Sequence, residues 1–499
     1  MLTLTYVAWL NPTCLVGIGV YLLMRVFKKK NPAPYPPGPP GLPLVGNVLD
    51  IPQAKPWLTF AKWGKMYGEI SHVEVLGQHT IVLNSVKTAM DMLDNKSTVY
   101  SDRPVFPMAG ELVGFKDSLP LLSYGGRFRQ YRKNFHRVIG SRAALDIYRP
   151  IMEIETHRFL KRVLTTPDQL QERIRHTAGA VILRISYGYE VKESSDPFIN
   201  IAERAHNRFS QSIAPGAFMV NYLPFLAKVP EWLPGAGFKR LAREWHEIVQ
   251  EMAAGDAPMS CISAMLEGQT PTAEEHDIAR WSAVSLYGGG SDTTVSAIYS
   301  LFLAMTLFPD VQKKAQAEID AVVGPDRLPS LADRASLPYI EALAKEVLRW
   351  NVVTPIGLPH RVTEDDVHDG YYIPKGSIII PNLWFMLHNP ETYSDPSQFN
   401  PERFLANDGK KPETEPRTIC FGFGRRICTG LLLAESSIWI SAAMSLAVFD
   451  ISKVVENGIE ITPEVDPSSL TISHPKPFKC SIRARSAKAI ALVQQDANY

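Results

Sequence analysis

Hydrophobic side chains fall along this chain in a few long runs. The first is Leu2 to Met24, which carries no charged side chain and is followed closely by Arg25, Lys28, Lys29 and Lys30. As a helix it would span ~35 Å, enough for a hydrocarbon core of about 30 Å. Asn11 and Pro12 interrupt it and predict a kink. It has neither the basic start nor the small-residue cleavage site of a secretory leader, so the pattern predicts a retained anchor. The positive cluster then holds the rest of the chain on the cytosolic side of the membrane. Pro32-Ala-Pro-Tyr-Pro-Pro-Gly-Pro-Pro-Gly-Leu-Pro43 follows, with fixed φ angles and missing donors that predict a semi-rigid spacer.

Three further runs predict helices. Glu274 to about Phe308 is mostly apolar and ends at Pro309, and its middle reads Gly288-Gly-Gly-Ser-Asp-Thr-Thr294. A glycine inside a helix costs about 1 kcal/mol against alanine, so a plain packing helix would not carry three. Tyr339 to Trp350 places Glu346 and Arg349 three apart, on one helical face. Leu431 to about Val448 is a third, long apolar helix.

Composition narrows the possibilities. The chain has 499 residues, 45% hydrophobic content and a formal net charge of +1. Its length would allow more than one domain, yet no composition shift, linker, repeat or low-complexity tract divides it after about residue 44. We therefore expect an anchor helix over 1–27, a basic and proline-rich hinge over 28–44 and one catalytic domain over 45–499. No basic stripe with interleaved aromatics is present, which argues against nucleic acid as a partner. The 5 cysteines are unpatterned and fit a reducing compartment rather than a disulfide framework.

One cysteine stands apart. Cys428 lies in Phe421-Gly-Phe-Gly-Arg-Arg-Ile-Cys-Thr-Gly430, just before the Leu431 helix. The free N–H groups and positive end of that helix favour a thiolate. Gly424 and Gly430 remove side chains where a flat, bulky group could approach the backbone. Arg426 sets a positive charge two residues from the sulfur, suited to a carboxylate. The alternative is a free cysteine packed as a small hydrophobe, which is how we read Cys14, Cys261, Cys420 and Cys480.

The decapeptide resembles the haem-binding signature of the cytochrome P-450 superfamily, Phe-x-x-Gly-x-Arg-x-Cys-x-Gly. The matching positions are Phe421, Gly424, Arg426, Cys428 and Gly430. The resemblance implies that Cys428 is the axial ligand of the iron of haem b (iron protoporphyrin IX), a thiolate that pushes electron density onto the metal. Gly289, Gly290, Asp292 and Thr293 fall at the signature positions of the family's oxygen-binding helix. There the glycines would let the helix bow open, and Thr293 and Asp292 would pass protons to the oxygen being activated. Locally, Thr293 could instead bond to a backbone carbonyl at a helix kink.

Other motifs agree with that resemblance. Glu346 and Arg349, with Arg403 in Asn400-Pro-Glu-Arg-Phe404, are similar to the family's Glu-x-x-Arg charge cluster, a structural device that holds the cysteine loop. Tyr124-Gly-Gly-Arg-Phe-Arg-Gln-Tyr-Arg-Lys133 resembles its Trp-x-x-x-Arg helix, which puts Arg132 on a haem propionate. Phe128 stands where the family has tryptophan and lacks the indole donor. Leu358-Pro-His-Arg-Val-Thr363 would supply a second propionate contact through His360 or Arg361.

The motifs run in the family's order along the whole chain. They imply a mainly α cytochrome P-450 fold with small β-sheets and an N-terminal transmembrane helix. Phe106 to Leu122, Phe209 to Trp232, Val352 to Leu358 and Leu470-Thr-Ile472 would wall an apolar pocket above the haem. The second stretch is also apolar enough to dip into a membrane surface. Pro56-Trp-Leu-Thr-Phe60 and Leu358-Pro-His-Arg-Val-Thr-Glu-Asp-Asp366 are similar to fungal members that oxidise terpenoids, aromatic polyketides and indoles.

The implied activity is insertion of one oxygen atom of O2 into a hydrophobic small molecule, at the endoplasmic reticulum membrane. No flavin or nicotinamide fingerprint is present, so NADPH would act only through a separate NADPH-cytochrome P-450 reductase. Cytochrome b5 is a further candidate donor. Arg129, Lys133 and Arg425 are the candidate reductase contacts. A haem-thiolate isomerase or dehydratase acting on a peroxide is the competing enzyme class, and a haem-binding sensor is the non-enzymatic one.

Overall fold

Helices form here where apolar residues recur at three- and four-residue spacing, and each buries that stripe against a neighbour. The computed structural model describes residues 31–193, 196–254, 272–406, 409 and 411–495. The anchor segment, the Lys28 to Lys30 cluster, Cys14 and Cys261 lie outside the described residues. Helix α1 (Pro56–Tyr67) opens with proline, whose missing N–H is harmless in a first turn. It buries Trp57, Phe60 and Trp63 against a four-stranded sheet.

That sheet is built from β1 (Ile70–Val75), β2 (Gln78–Leu83), β3 (His360–Arg361) and β4 (Ile378–Pro381), in the order β1-β2-β4-β3. β1 and β2 are antiparallel, with Ile70 opposite Leu83. β2 and β4 are parallel, with Ile81 beside Ile379. β3 runs antiparallel to β4 and sets His360 opposite Ile379. Three two-stranded sheets complete the β structure among the described residues.

The rest is mainly helical: α2 (Gly126–Ile139), α3 (Arg149–Thr165), α4 (Leu170–Tyr187), α5 (Pro197–Ile213), α6 (Phe238–Ala254), α7 (Ala273–Ser291), α8 (Thr293–Leu307), α9 (Pro309–Val322), α10 (Pro338–Trp350) and α11 (Leu431–Val448). The apolar run 431–448 is a core helix, and most of its length is buried. Trp439, fully buried on α11, packs in a core shared with α3, α4, α8 and α10. Truncating such a side chain to alanine would cost about 3–5 kcal/mol.

The run from Glu274 to Phe308 is two helices, not one. Thr272 caps α7 and forms a reciprocal capping box with Glu275. Asp292 then distorts the turn at φ −113°, ψ −38°, while staying in the right-handed helical region. The Thr293 hydroxyl donates to the Gly289 carbonyl at 2.7 Å and competes with the helix's own N–H for it. The three glycines have separate reasons to be there. A Cβ on Gly290 would come within 2.9 Å of Ile182 on α4, so Gly290 allows close helix packing. Gly289 faces open space, and Gly288 leaves room for the ring of His206.

Candidate active site

The α7–α8 break, the cysteine loop, α2 and β3 converge on an internal cavity of about 360 Å³. The loop folds back on itself: the Cys428 N–H donates to the Phe421 carbonyl at 2.9 Å. Gly424 holds φ +57°, and a Cβ there would lie 2.1 Å from the Leu93 carbonyl oxygen. Gly424 therefore serves the approach of the Leu93 backbone and does not line the cavity, contrary to the expectation that it clears room for a flat group. Gly430 does line the cavity, with Ile139 and the Cys428 sulfur as its near neighbours.

Cys428 is exposed to the cavity and yet lies deep within the molecule. Burial pushes its thiol pKa up, partly offset by the Gly430 N–H and the Arg132 cation. The helix start does assist the sulfur, through Gly430. The charge acting on it is Arg132, which donates to the Ile427 carbonyl at 2.5 Å. Arg426, read from the sequence as suited to a carboxylate, lines the cavity and is oriented by backbone carbonyls. It donates from Nε to Ser101 O at 2.7 Å and from Nη2 to Leu122 O at 2.6 Å. Its guanidinium also lies 3.9 Å from the centre of the Phe128 ring, so the phenylalanine at the tryptophan position stacks under a cation instead of donating.

The register at His360 and Arg361 is settled by strand alternation, which turns neighbouring residues to opposite faces. His360 is buried and lines the cavity. Arg361 does not; its guanidinium Nε donates to Asp102 at 3.0 Å. The His360 Nδ1–H donates to the Tyr100 carbonyl at 2.7 Å. Burial and the Arg103 cation hold its pKa well below the ordinary histidine value.

Arg103 is the residue that sequence reading missed. It is buried, lines the cavity and donates from Nη1 to Leu358 O and Pro359 O. The signal was an Asp-Arg pair just before the apolar run from Phe106.

Arg103, Arg132 and Arg426 thus line one cavity, and among the described residues no aspartate or glutamate does. Arg103 Nε and Arg426 Nη1 are buried without a hydrogen-bond partner. Orphaned donors on mutually repelling cations call for an anion. A flat cofactor with two carboxylates and a thiol-binding metal at its centre satisfies both the cations and Cys428, so the residues present fit haem. An arriving carboxylate would also draw a second proton onto His360, whose Nε2 otherwise has only a lone pair to offer.

On the opposite wall, Thr293 lines the cavity with its hydroxyl spent on Gly289. Asp292 does not line it. Its carboxylate meets His474 Nε2 at 3.2 Å and Arg175 Nη2 at 3.9 Å. Although burial opposes ionisation, His474, His206 and Arg175 together lower its pKa to about 2. Neither Arg175 nor His474 carried a motif signal. Of the other cysteines, Cys420 also lines the cavity, and burial keeps its thiol strongly protonated. Cys480 packs at the edge of the main core.

Beneath the loop, Glu346, Arg349 and Arg403 meet as expected. Glu346 Oε2 accepts from Arg349 Nε at 2.7 Å, and Oε1 accepts from Arg403 Nε at 3.2 Å. Arg349 also donates to the carbonyls of Leu387, Pro396 and Gln398. A fourth member was not anticipated: Glu413 accepts from Arg403 Nη1 at 2.6 Å and balances the second arginine.

The cytochrome P-450 family model matches residues 36–481. Cytochrome P-450 monooxygenase 208 of Postia placenta is 51% identical over 488 residues, 95% of each chain. Cytochrome P-450 monooxygenase claR of Ampulloclitocybe clavipes is 49% identical, over 96% of this chain and 91% of that one. Cytochrome P-450 monooxygenase ppsD of Aspergillus oryzae is 40% identical, over 96% and 94%. With its thiol, cationic rim and broken helix disposed about one cavity, this chain belongs to the cytochrome P-450 family and is a monooxygenase.

Proposed function

We propose that the protein inserts one oxygen atom of O2 into a hydrophobic small molecule of secondary metabolism, of terpenoid, polyketide or indole type. The observation that carries this reading is the cavity itself, a thiol on one wall, a helix break on the other and apolar side chains between them. Bound haem would supply oxygen activation. Cys428 would hold its iron, while Arg132, Arg426, Arg103 and His360 would hold its propionates. Phe115, Phe209, Val284, Leu286 and Ile472 would exclude water and pack the substrate. Thr293 lines the cavity at the helix break, and it could give up its bond to Gly289 to hold a proton at Oγ1. Asp292 backs it from the far side of the helix, as an ionised partner of His474 and Arg175.

Electrons would come from a separate NADPH-dependent reductase, with cytochrome b5 as a second donor. Arg129 and Arg425 support a docking face: both are exposed, and their guanidinium groups lie 5.9 and 5.2 Å from the Tyr124 ring. The exposed Lys133 follows on α2. A membrane setting, with the catalytic domain on the cytosolic side of the endoplasmic reticulum, is supported by two apolar surfaces. One is Leu42, Leu44 and Leu49 after the hinge; the other is Met219, Phe225 and Trp232, the last 80% exposed. They meet where Gly216 abuts Ile51 and Gln53.

Reconstitution with purified reductase and NADPH tests the reading. Oxygenated products from a terpenoid and aromatic panel are expected with reductase and not with organic peroxide rearrangement alone. Turnover of peroxide without reductase or O2 would instead assign an isomerase.

A further inference from the structure

We propose that His206 is a specificity residue whose Nε2 hydrogen-bonds a hydroxyl or carbonyl oxygen on an otherwise apolar substrate. The preferred substrates are then hydrophobic molecules that already carry one oxygen function, not bare hydrocarbons. A preceding oxygenation or an oxygen-retaining cyclisation must supply them. The inference deepens the monooxygenase reading and rests on it.

His206 sits on α5 and lines the cavity beside Gly288, Gly289 and Phe209. It is only 9% exposed, and its Nε2 has no hydrogen-bond partner. A buried polar atom left unpaired costs about 1–3 kcal/mol, which a ligand atom placed opposite it recovers. Gly288 packs against this nitrogen, and a Cβ there would lie 3.4 Å from it. Orphaning by itself is no signal here. His157, His176, His246, His368 and His474 also leave a ring nitrogen unpaired, but none of these lines the cavity. Two hydroxyls that line the same cavity already have a protein partner each: Ser118 donates to the Phe115 carbonyl at 2.6 Å, and Ser285 accepts from the Leu119 N–H at 3.0 Å.

The charge state suits a neutral oxygen function. Burial lowers the His206 pKa; Asp292 and the Gly288 backbone oppose this, while Arg175 and His474 add to it. A neutral imidazole offers Nε2 as donor or acceptor according to the proton on Nδ1. Nδ1 faces the Ser291 hydroxyl at 3.4 Å, which can donate or accept in turn. The pair can therefore serve a carbonyl or a hydroxyl without a change of net charge.

The test is a titration of the full-length, haem-loaded protein with matched probes, following the spin-state shift of the haem spectrum. The pairs are farnesene with farnesol, naphthalene with 1-naphthol, and cyclododecane with cyclododecanone. At least one oxygenated member should bind about ten-fold tighter than its hydrocarbon, the worth of one well-placed hydrogen bond. His206→Leu should bring that pair within about two-fold by weakening only the oxygenated member, and His206→Gln should restore most of the difference. The inference is overturned if the preference survives in His206→Leu or if both members weaken alike. It is also overturned if no pair shows a preference, whether both members bind equally or neither binds. The reduced carbon monoxide spectrum separates the two layers: its absence in the unaltered protein sinks the monooxygenase reading, not this one alone. If His206→Leu loses that spectrum, His206→Phe, which keeps the ring volume, carries the same comparison.

Discussion

Two regions of the molecule are built on opposite plans: a buried charge cluster that does not line the cavity, and the cavity wall itself. In the cluster, charge is answered by the protein itself. Glu346, Arg349, Arg403 and Glu413 form a buried, electrically balanced set, and Arg349 alone holds three backbone carbonyls. On the cavity wall around the helix break, polar groups are sparse and partly open: a hydroxyl bonded to its own helix, an unpaired imidazole nitrogen and apolar side chains. A closed network fixes one geometry, because every member left unpaired is costly. An apolar wall with a few free polar atoms fixes little and lets the occupant vary. The charge cluster therefore reads as common machinery and the apolar cavity wall as the place where substrates are chosen.

Glu346→Ala should break the charge cluster most severely. It strands Arg349, which has no solvent access, without a carboxylate and leaves Arg403 with Glu413 alone, a loss of about 3–5 kcal/mol. Urea denaturation and haem content should both fall; wild-type values in both would show that the network is dispensable. Gly424→Ala should cost about 2–3 kcal/mol, since it places a methyl against the Leu93 carbonyl in left-handed backbone. Its signature is loss of haem retention ahead of loss of helicity on heating.

The helix break at the cavity should respond differently. Asp292 titrates at about 2 when folded, against 3.8 for an ordinary carboxyl. Its pairing thus contributes stability that is complete above about pH 5 and is lost as pH falls toward 2. Asp292→Asn should therefore be about 2 kcal/mol less stable at neutral pH, with the gap closing under acid. A gap that stays constant down to pH 3 would contradict the pairing. Thr293→Ala should change stability least, within about 1 kcal/mol, because it removes one hydroxyl bond to a helix carbonyl. It should nonetheless divert reducing equivalents from product to hydrogen peroxide. Unchanged coupling would reduce Thr293 to a kink residue.

How far each region was legible in the sequence follows the same division. The cysteine loop and the Glu346–Arg349 pair are short-range patterns, and the residues they name do meet in the fold. Arg403 came from a separate short motif. Glu413, His474 and Arg175 were not legible, because only long-range folding brings them to their partners, and Arg103 left only the trace of an Asp-Arg pair before the apolar run from Phe106. An irregularity near Asp292 was legible in the three glycines and in the Thr293 hydroxyl, which could bond a backbone carbonyl at a kink; the division into two helices was not. The choice between His360 and Arg361 needed one fact, that the segment is a strand, after which alternation decides it. Gly424 was misread because a positive φ and a backbone neighbour leave no trace in sequence. The anchor segment falls outside the described residues, and its reading rests on hydropathy and the charges that follow it.

The most direct test concerns the Cys428 sulfur. The reduced carbon monoxide spectrum should be of the thiolate type in the unaltered protein. In Cys428→His it should lose that character even where haem is retained, whereas the thiolate spectrum should persist in Cys420→Ser, although Cys420 lines the same cavity. A thiolate-type spectrum surviving in Cys428→His would contradict the account.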